Sequence, residues 1–169
     1  MDIILVLLRL LHIVAAVAWV GLGVTVTFYM APAALAAGEG GMRFLKTLLT
    51  RTSFGSIFGT AAGLTMLAGI LLYVHGNVLR NFSQMGNIIL GIGAAAGILA
   101  TIHGGAVTGR ATRALGEALA QHVPDDGQPI SAEGQQTLND LGTKLLSHSR
   151  ISFYLMVVAL IGMASARYV

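Results

Sequence analysis

The residues best suited to chemistry in this sequence are two histidines that lie inside apolar stretches. His12 belongs to the first such stretch and His103 to the third. An ionisable side chain inside a membrane-spanning helix is rare and is a candidate functional group. An imidazole at such a position can serve as an axial ligand of a haem iron. The alternative is a neutral ring that only hydrogen-bonds to a carbonyl or hydroxyl of a neighbouring helix.

Two axial ligands of one iron must lie at similar depth on different helices. The predicted register separates His12 and His103 by about 10 Å along the membrane normal, so we do not expect them to share an iron. His103 could pair with His148 if the fourth span begins earlier than predicted. His12 could pair with Met66, because the two are predicted at similar depth and His/Met ligation of haem occurs. A methionine in a span more often serves packing. Pairing His12 with His75 would require a tilted helix or a shifted register.

The absence of cysteine narrows the cofactor chemistry further. It excludes disulfides, thiolate metal sites, iron–sulfur clusters and c-type haem attachment. The remaining candidates are haem b and, as an alternative, copper, which accepts imidazole and thioether ligands. The chain also contains no nucleophile elbow and no phosphate-binding loop. The sequence therefore predicts no independent catalytic activity.

The candidate histidines His12 and His103 lie in two of four stretches that contain no Asp, Glu, Lys or Arg. The stretches are residues 10–38, 52–79, 81–109 and 151–166. A helix needs about 20 apolar residues to cross a bilayer, and only 10% of the chain is charged, against about 25% in soluble domains. We predict an all-α membrane protein, a single domain over 1–169 that forms a four-transmembrane-helix bundle in the lipid bilayer. The predicted spans are about 3–29, ending before Pro32, then 53–75, 85–108 and 151–168.

The polar connection 109–150 between spans three and four shows helical spacing of apolar residues. They fall into two groups, first Ala111, Leu115, Ala118 and Leu119, and then Leu138, Leu141 and Leu145. A Val-Pro-Asp-Asp-Gly-Gln-Pro turn separates the groups, and Ser131 is a candidate N-cap. This pattern favours a cytoplasmic helical hairpin that extends both spans. Two short helices lying on the lipid headgroups are the alternative.

Basic residues indicate the orientation. Seven of the ten Lys and Arg residues fall on the face shared by the first and third connections, namely Arg43, Lys46, Arg51, Arg110, Arg113, Lys144 and Arg150; the other face has Arg9, Arg80 and Arg167. The positive-inside rule makes the first face cytoplasmic. We therefore predict a multi-pass protein of a bacterial inner membrane with both termini outside. The basic residues flank the spans, so the pI of about 9.7 does not indicate nucleic-acid binding.

Glycines recur at four-residue spacing in two spans. One run is Gly55, Gly59 and Gly63, and the other is Gly93 and Gly97. Small residues at this spacing let helix backbones approach closely, and they could also leave room for a flat cofactor. These faces suit contacts with other membrane subunits or with a second copy of the chain.

Residues 8–21, LRLLHIVAAVAWVG, and residues 163–168, MASARY, resemble a known group of proteins. They are similar to small four-span bacterial membrane proteins related to the copper-resistance D domain, including those of the DUF2269 type. That resemblance implies copper uptake or a haem-binding membrane enzyme such as the HemJ-type protoporphyrinogen oxidase, whose first-span histidine would match His12. The lysine expected early in the third span is absent, because Gln84 to Asn87 reads QMGN. This departure argues against the oxidase activity.

Three functional hypotheses follow from these observations. The first is a b-type haem-binding membrane protein in electron transfer, with His12 as the first candidate ligand and His103 as the second. The second is a non-catalytic accessory subunit of a larger membrane complex, in which the histidines are structural. The third is copper transport or handling.

Overall fold

The computed structural model describes residues 3–76 and 78–169, and for Leu79 and Arg80 it describes the backbone alone. The described residues contain no strand and form five continuous helical segments, with a short 3-10 turn at Val78–Asn81 besides. The α-helices within these segments are α1 Ile3–Val24, α2 Ala31–Ala36, α3 Glu39–Arg51, α4 Phe54–His75, α5 Met85–His103, α6 Gly109–His122 and α7 Ala132–Ser165. The side chain of Arg80, one of the basic residues counted for the outer face, lies outside this description.

Four of the segments are long and apolar enough to cross a membrane. They are Ile3–Ala36, Phe54–His75, Met85–His122 and Ala132–Tyr168, with 34, 22, 38 and 37 residues. At 1.5 Å per residue even the shortest extends about 33 Å, close to the thickness of a hydrocarbon core. The prediction of an all-α protein with four membrane-length helices is confirmed.

The first segment does not end before Pro32, as the sequence predicted. A π-helical turn at Thr25–Met30 joins α1 to α2, and the N–H of Ala31 bonds to the carbonyl of Val26, five residues earlier. Proline is tolerated in the first turn of a helix because the N–H it lacks is not needed there. The π turn restarts the helix at Ala31, so Pro32 occupies that first turn and the helix continues to Ala36. A second π turn, Gly104–Thr108, joins α5 to α6.

Helices α5 and α7 pack in opposite directions at very short range. A Cβ on Gly162 would lie 2.8 Å from the Cα of Gly93, so the two backbones touch at this crossing. Farther along, His103 of α5 meets Ser152 of α7. The residue numbers rise on α5 as they fall on α7, which establishes the antiparallel arrangement. Of the two predicted glycine runs, this one serves helix packing.

Helices α1 and α4 form a second antiparallel pair, and Trp19 connects it to the first. The buried Trp19 shares one cluster with Ala61 of α4, Ala100 of α5 and Met156 of α7. Gly23, one turn after Trp19, lies where a Cβ would be 3.2 Å from the Met156 methyl carbon. All four long helices therefore meet at the level of Trp19.

A larger apolar core lies beyond this level, among the polar ends of the helices. It consists of buried residues from α2, α3, α6, the turn after α6 and the first half of α7, namely Ala34, Met42, Leu45, Leu115, Ala118, Leu119, Val123, Ile130, Leu138 and Leu145. We call this the head core. The apolar residues predicted to be helical in connection 109–150 are buried in it or packed against it, and Ser131 caps α7 by accepting from the N–H of Gly134 at 3.1 Å.

Basic residues of α3 hold the turn between α6 and α7. Lys46 is buried and donates to the carbonyl of Val123 at 2.6 Å and to the carboxylate of Asp125 at 2.8 Å. Arg43 donates to the carbonyl of Pro124 at 2.7 Å, and Arg51 donates to Asp125 at 2.9 Å. The sequence predicted these cations to flank a span, but their main partners are the oxygens of this turn.

Acid should loosen this contact. The hydrogen bond from Lys46, then its charge and that of Arg51, hold the pKa of Asp125 below its usual 3.8, although partial desolvation opposes the shift. A carboxylate with a lowered folded-state pKa stabilises the fold above its unfolded pKa, and the stabilisation is lost as pH falls through the lower folded value. We therefore expect the thermal unfolding midpoint of the detergent-solubilised protein to decrease when the pH is lowered below about 4. Asp125→Asn should flatten this dependence, whereas Asp126→Asn should retain it; equal pH profiles for both variants would contradict the assignment.

Candidate functional site

His12 is half-buried in the interface between α1 and α4. Its Nδ1 lies 2.8 Å from the carbonyl oxygen of Thr65. Its ring packs against α4 at Gly69, where a Cβ would lie 2.9 Å from the ring carbon Cε1. Gly69 thus makes room for the ring, and a larger residue there would force the ring to shift.

The partner of His12 determines its tautomer. A backbone carbonyl can only accept, so Nδ1 carries the proton and donates it to Thr65. In the neutral ring the free lone pair is then on Nε2. Histidines that bind metals commonly donate their other ring N–H to a carbonyl in this way, which orients the ring. The same hydrogen bond would also be expected of a histidine that binds no metal and only joins α1 to α4.

Two further features lie at the level of His12. Met66 is half-buried and directly follows Thr65, whose carbonyl accepts from His12. Met66 therefore lies at a depth in the bundle similar to that of His12. An open apolar groove of about 350 Å³ runs between α1 and α4. Leu11 and Leu64, the sequence neighbours of His12 and Thr65, line one end of it. This volume is within the range of small-molecule sites.

His103 belongs to a different polar cluster, between α5 and α7. Its Nδ1 lies 2.9 Å from the Oγ of Ser152, and that Oγ lies 3.1 Å from the Oγ1 of Thr108 in the π turn. Ser152 is buried. The three residues form a chain of hydrogen bonds in which each hydroxyl can both donate and accept.

His148 completes the cluster one helical turn before Ser152. Its ring centroid is 5.9 Å from that of His103, and the two ring planes meet at 60°. Within the described residues, its Nδ1 is buried without any hydrogen-bond partner. The sequence allowed this pair only if the fourth span began before Ile151; in the structure His148 lies within α7, which continues from Ala132 to Ser165.

His12 and His103 are far apart, as predicted. Trp19 shares one cluster with Ala100 of α5 and Met156 of α7. Phe28, farther along the first segment, contacts Phe153, earlier on α7, so the first segment is antiparallel to α7 and runs in the same direction as α5. His12 lies about 10 Å from the level of Trp19 on one side and His103 about 5 Å on the other. A distance of about 15 Å along the bundle excludes a shared iron.

The remaining histidines lie outside both sites. His75 is exposed at the end of α4, and the Cβ of His122 packs against α7 at Gly134. The described residues contain no group of three or more His, Cys, Asp or Glu that could hold a metal. The sequence analysis missed Thr65, Gly69 and Ser152, the partners of the two histidines. Only Ser152 contributes a hydroxyl, and a hydroxyl residue inside an apolar stretch was an available signal for it; Thr65 contributes its backbone carbonyl, which no residue type announces.

No protein-family model, no curated protein and no solved structure matches this chain. The functional argument therefore rests on the residues and their geometry.

Proposed function

We propose that this chain is an integral membrane protein that binds b-type haem and takes part in electron transfer. The observation that carries the proposal is the bond between His12 Nδ1 and the Thr65 carbonyl. It orients the imidazole and leaves Nε2 as the nitrogen available to a metal. The ring is ordered within an apolar interface, where an unused ionisable group would be costly.

Two neighbouring features support haem binding at His12. His12 would supply one axial ligand through Nε2, and Met66, at the same level on α4, is the candidate for the other. The apolar groove between α1 and α4 is the proposed surface for the porphyrin; Leu11 and Leu64 line it, whereas His12 and Met66 lie beside it and not in its lining. A bound haem would supply one-electron redox chemistry. The protein's contribution would be ligand identity and a low-polarity shell, both of which set the reduction potential.

The proposed setting is the inner membrane of a bacterium, with both termini outside and the head core in the cytoplasm. The seven basic residues on the head side support this orientation. We also propose that α6 and the first half of α7 form a helical hairpin in the cytoplasm. Its support is the head core itself, because those two helices bury Leu119 and Leu138 completely. Two helices that lay separately on the lipid headgroups would not bury these two leucines against each other.

A visible absorption spectrum tests the haem proposal. The protein purified in mild detergent and supplied with haem should show a Soret band and reduced-minus-oxidised b-type bands. His12→Ala should abolish these bands because it removes the proposed ligand. Met66→Leu should retain haem but shift the reduction potential and the band positions, since only one axial ligand changes.

His122→Ala is the matched control because it removes an imidazole outside both sites. It should leave the spectrum unchanged. Folding of each variant is checked by circular dichroism and size-exclusion chromatography. A folded parent protein that stays colourless after haem addition would refute the proposal, and so would a His12→Ala variant with the parent's spectrum.

A second function, accessory subunit of a membrane complex, is favoured by one observation. A Cβ placed on Gly55, Gly59 or Gly63 of α4 would meet nothing within 4 Å. This glycine face is thus open, although such faces generally pack against another helix. A colourless, folded protein that co-purifies with other membrane proteins in mild detergent would favour this function over haem binding.

A further inference from the structure

We propose that His103 and His148 form a separate site for a transition-metal ion that prefers imidazole ligands, such as zinc(II) or copper(II). This site lies between α5 and α7, where the head meets the apolar part of the bundle. It is distinct from the haem site proposed at His12 and does not depend on it.

The first argument is the state of His148. Its Nδ1 is buried without a hydrogen-bond partner among the described residues. Such a nitrogen has lost water and gained nothing in exchange, which makes it costly. A bound ion would provide the missing partner. If this position only packed α7 against α5, an apolar residue of similar shape would make the fold more stable.

The second argument is the orientation of His103. When Nδ1 of His103 donates to Ser152, the Ser152 hydroxyl can donate to Thr108. This direction of the chain leaves the lone pair of His103 on Nε2. The hydroxyls then act as the outer partners that fix the tautomer and ring orientation of a metal-binding histidine.

The third argument is the spacing of the rings. A metal–nitrogen bond is about 2.0–2.1 Å, and a ring nitrogen lies about 1.1 Å from its centroid, so two imidazoles on one ion have centroids about 5–6.3 Å apart as the angle at the metal opens from tetrahedral to linear. The observed separation of 5.9 Å lies within this range.

The donor set indicates the class of ion. Two imidazoles suit zinc, copper and nickel, whereas magnesium and calcium require oxygen ligands. Two protein ligands leave coordination positions for water or a further ligand, unlike a closed structural zinc site. Gly104 and Gly105, beside His103, have nothing within 4 Å of a Cβ. No neighbouring residue that the structure describes therefore packs against these two glycines.

Metal binding to the full chain tests the site directly. The protein in mild detergent is stripped with a chelator and titrated with Zn²⁺ or Cu²⁺, with Mg²⁺ as the negative control. We expect one ion per chain. Affinity should fall more than about 10-fold in His103→Ala and in His148→Gln, and about 10–100-fold in Ser152→Ala, which removes an outer partner. His122→Ala and His12→Ala should bind as the parent does, and retained binding in His12→Ala separates this site from the haem site.

Thermal unfolding distinguishes a metal site from a packing role. In metal-free protein, His148→Leu should raise the unfolding midpoint, because it removes a buried unpartnered nitrogen. Added Zn²⁺ should raise the midpoint of the parent but not that of His148→Leu. Equal Zn²⁺-induced shifts in the parent and in His148→Leu would overturn the proposal, as would a folded parent that binds neither ion.

Discussion

Gly41→Ala should destabilise the protein by about 3 kcal/mol or more, because a methyl group at this position has no room. Its Cβ would lie 1.8 Å from the carbonyl oxygen of Ala34 and 2.5 Å from the carbonyl carbon. Both are backbone atoms, so no side-chain rotation relieves the clash. Helix α3 would have to move away from α2 and open the head core at Met42, which is completely buried.

The neighbouring Gly40 provides the control. A Cβ there meets nothing within 4 Å, and both glycines lie in the first turn of α3. Alanine is favoured over glycine in a helix by about 1 kcal/mol, so Gly40→Ala should be neutral or slightly stabilising. Denaturation in mixed detergent micelles, followed by circular dichroism, measures both variants. Equal unfolding free energies for the two would contradict the close α2–α3 contact.

Gly93→Ala should cost about 1–3 kcal/mol through overpacking where α5 crosses α7. The new Cβ would lie 2.9 Å from the backbone nitrogen of Met163 and 3.1 Å from the carbonyl oxygen of Ala159. The two helices would have to separate. Because His103 and Ser152 bridge the same pair of helices, the variant should also weaken ion binding at the proposed metal site.

Gly97→Ala is the matched change, one turn later on the same face of α5. Its Cβ would be 3.6 Å from the Met163 methyl carbon and 3.7 Å from the Cβ of Ala159, both ordinary van der Waals contacts. We expect it to be neutral or stabilising, since alanine favours helix. The same unfolding assay applies, and a larger loss in Gly97→Ala than in Gly93→Ala would show that the α5–α7 crossing lies elsewhere.

Secondary structure followed from composition and spacing with few errors. The bounds of α4 were predicted to within one residue, because a charge-free run flanked by polar residues defines a membrane-length helix. The predicted end of the first helical segment, before Pro32, was wrong. A proline is a probable stop when only its own neighbourhood is considered. The π turn before Pro32, which lets the helix continue to Ala36, leaves no plain signal in composition.

The two glycine runs illustrate what spacing cannot decide. Both have the same four-residue period, and the sequence assigned them the same alternatives. In the structure, Gly93 touches the backbone of α7, whereas the face with Gly59 is open. Which face meets a neighbour depends on how the helices rotate and cross. Packing across the whole bundle determines this, and no single helix encodes it.

The sequence by itself determined that the chain is helical, that four helices are long and apolar enough to cross a membrane, and that His12 and His103 are the unusual groups within them. These properties depend on residue type and local period, which a linear sequence records directly. Only the tertiary structure decided the partners, joining His12 to Thr65 and His103 to Ser152 and His148. Those contacts join residues about 50 positions apart, on helices that meet only after the bundle has formed. Their geometry therefore depends on helix register and rotation.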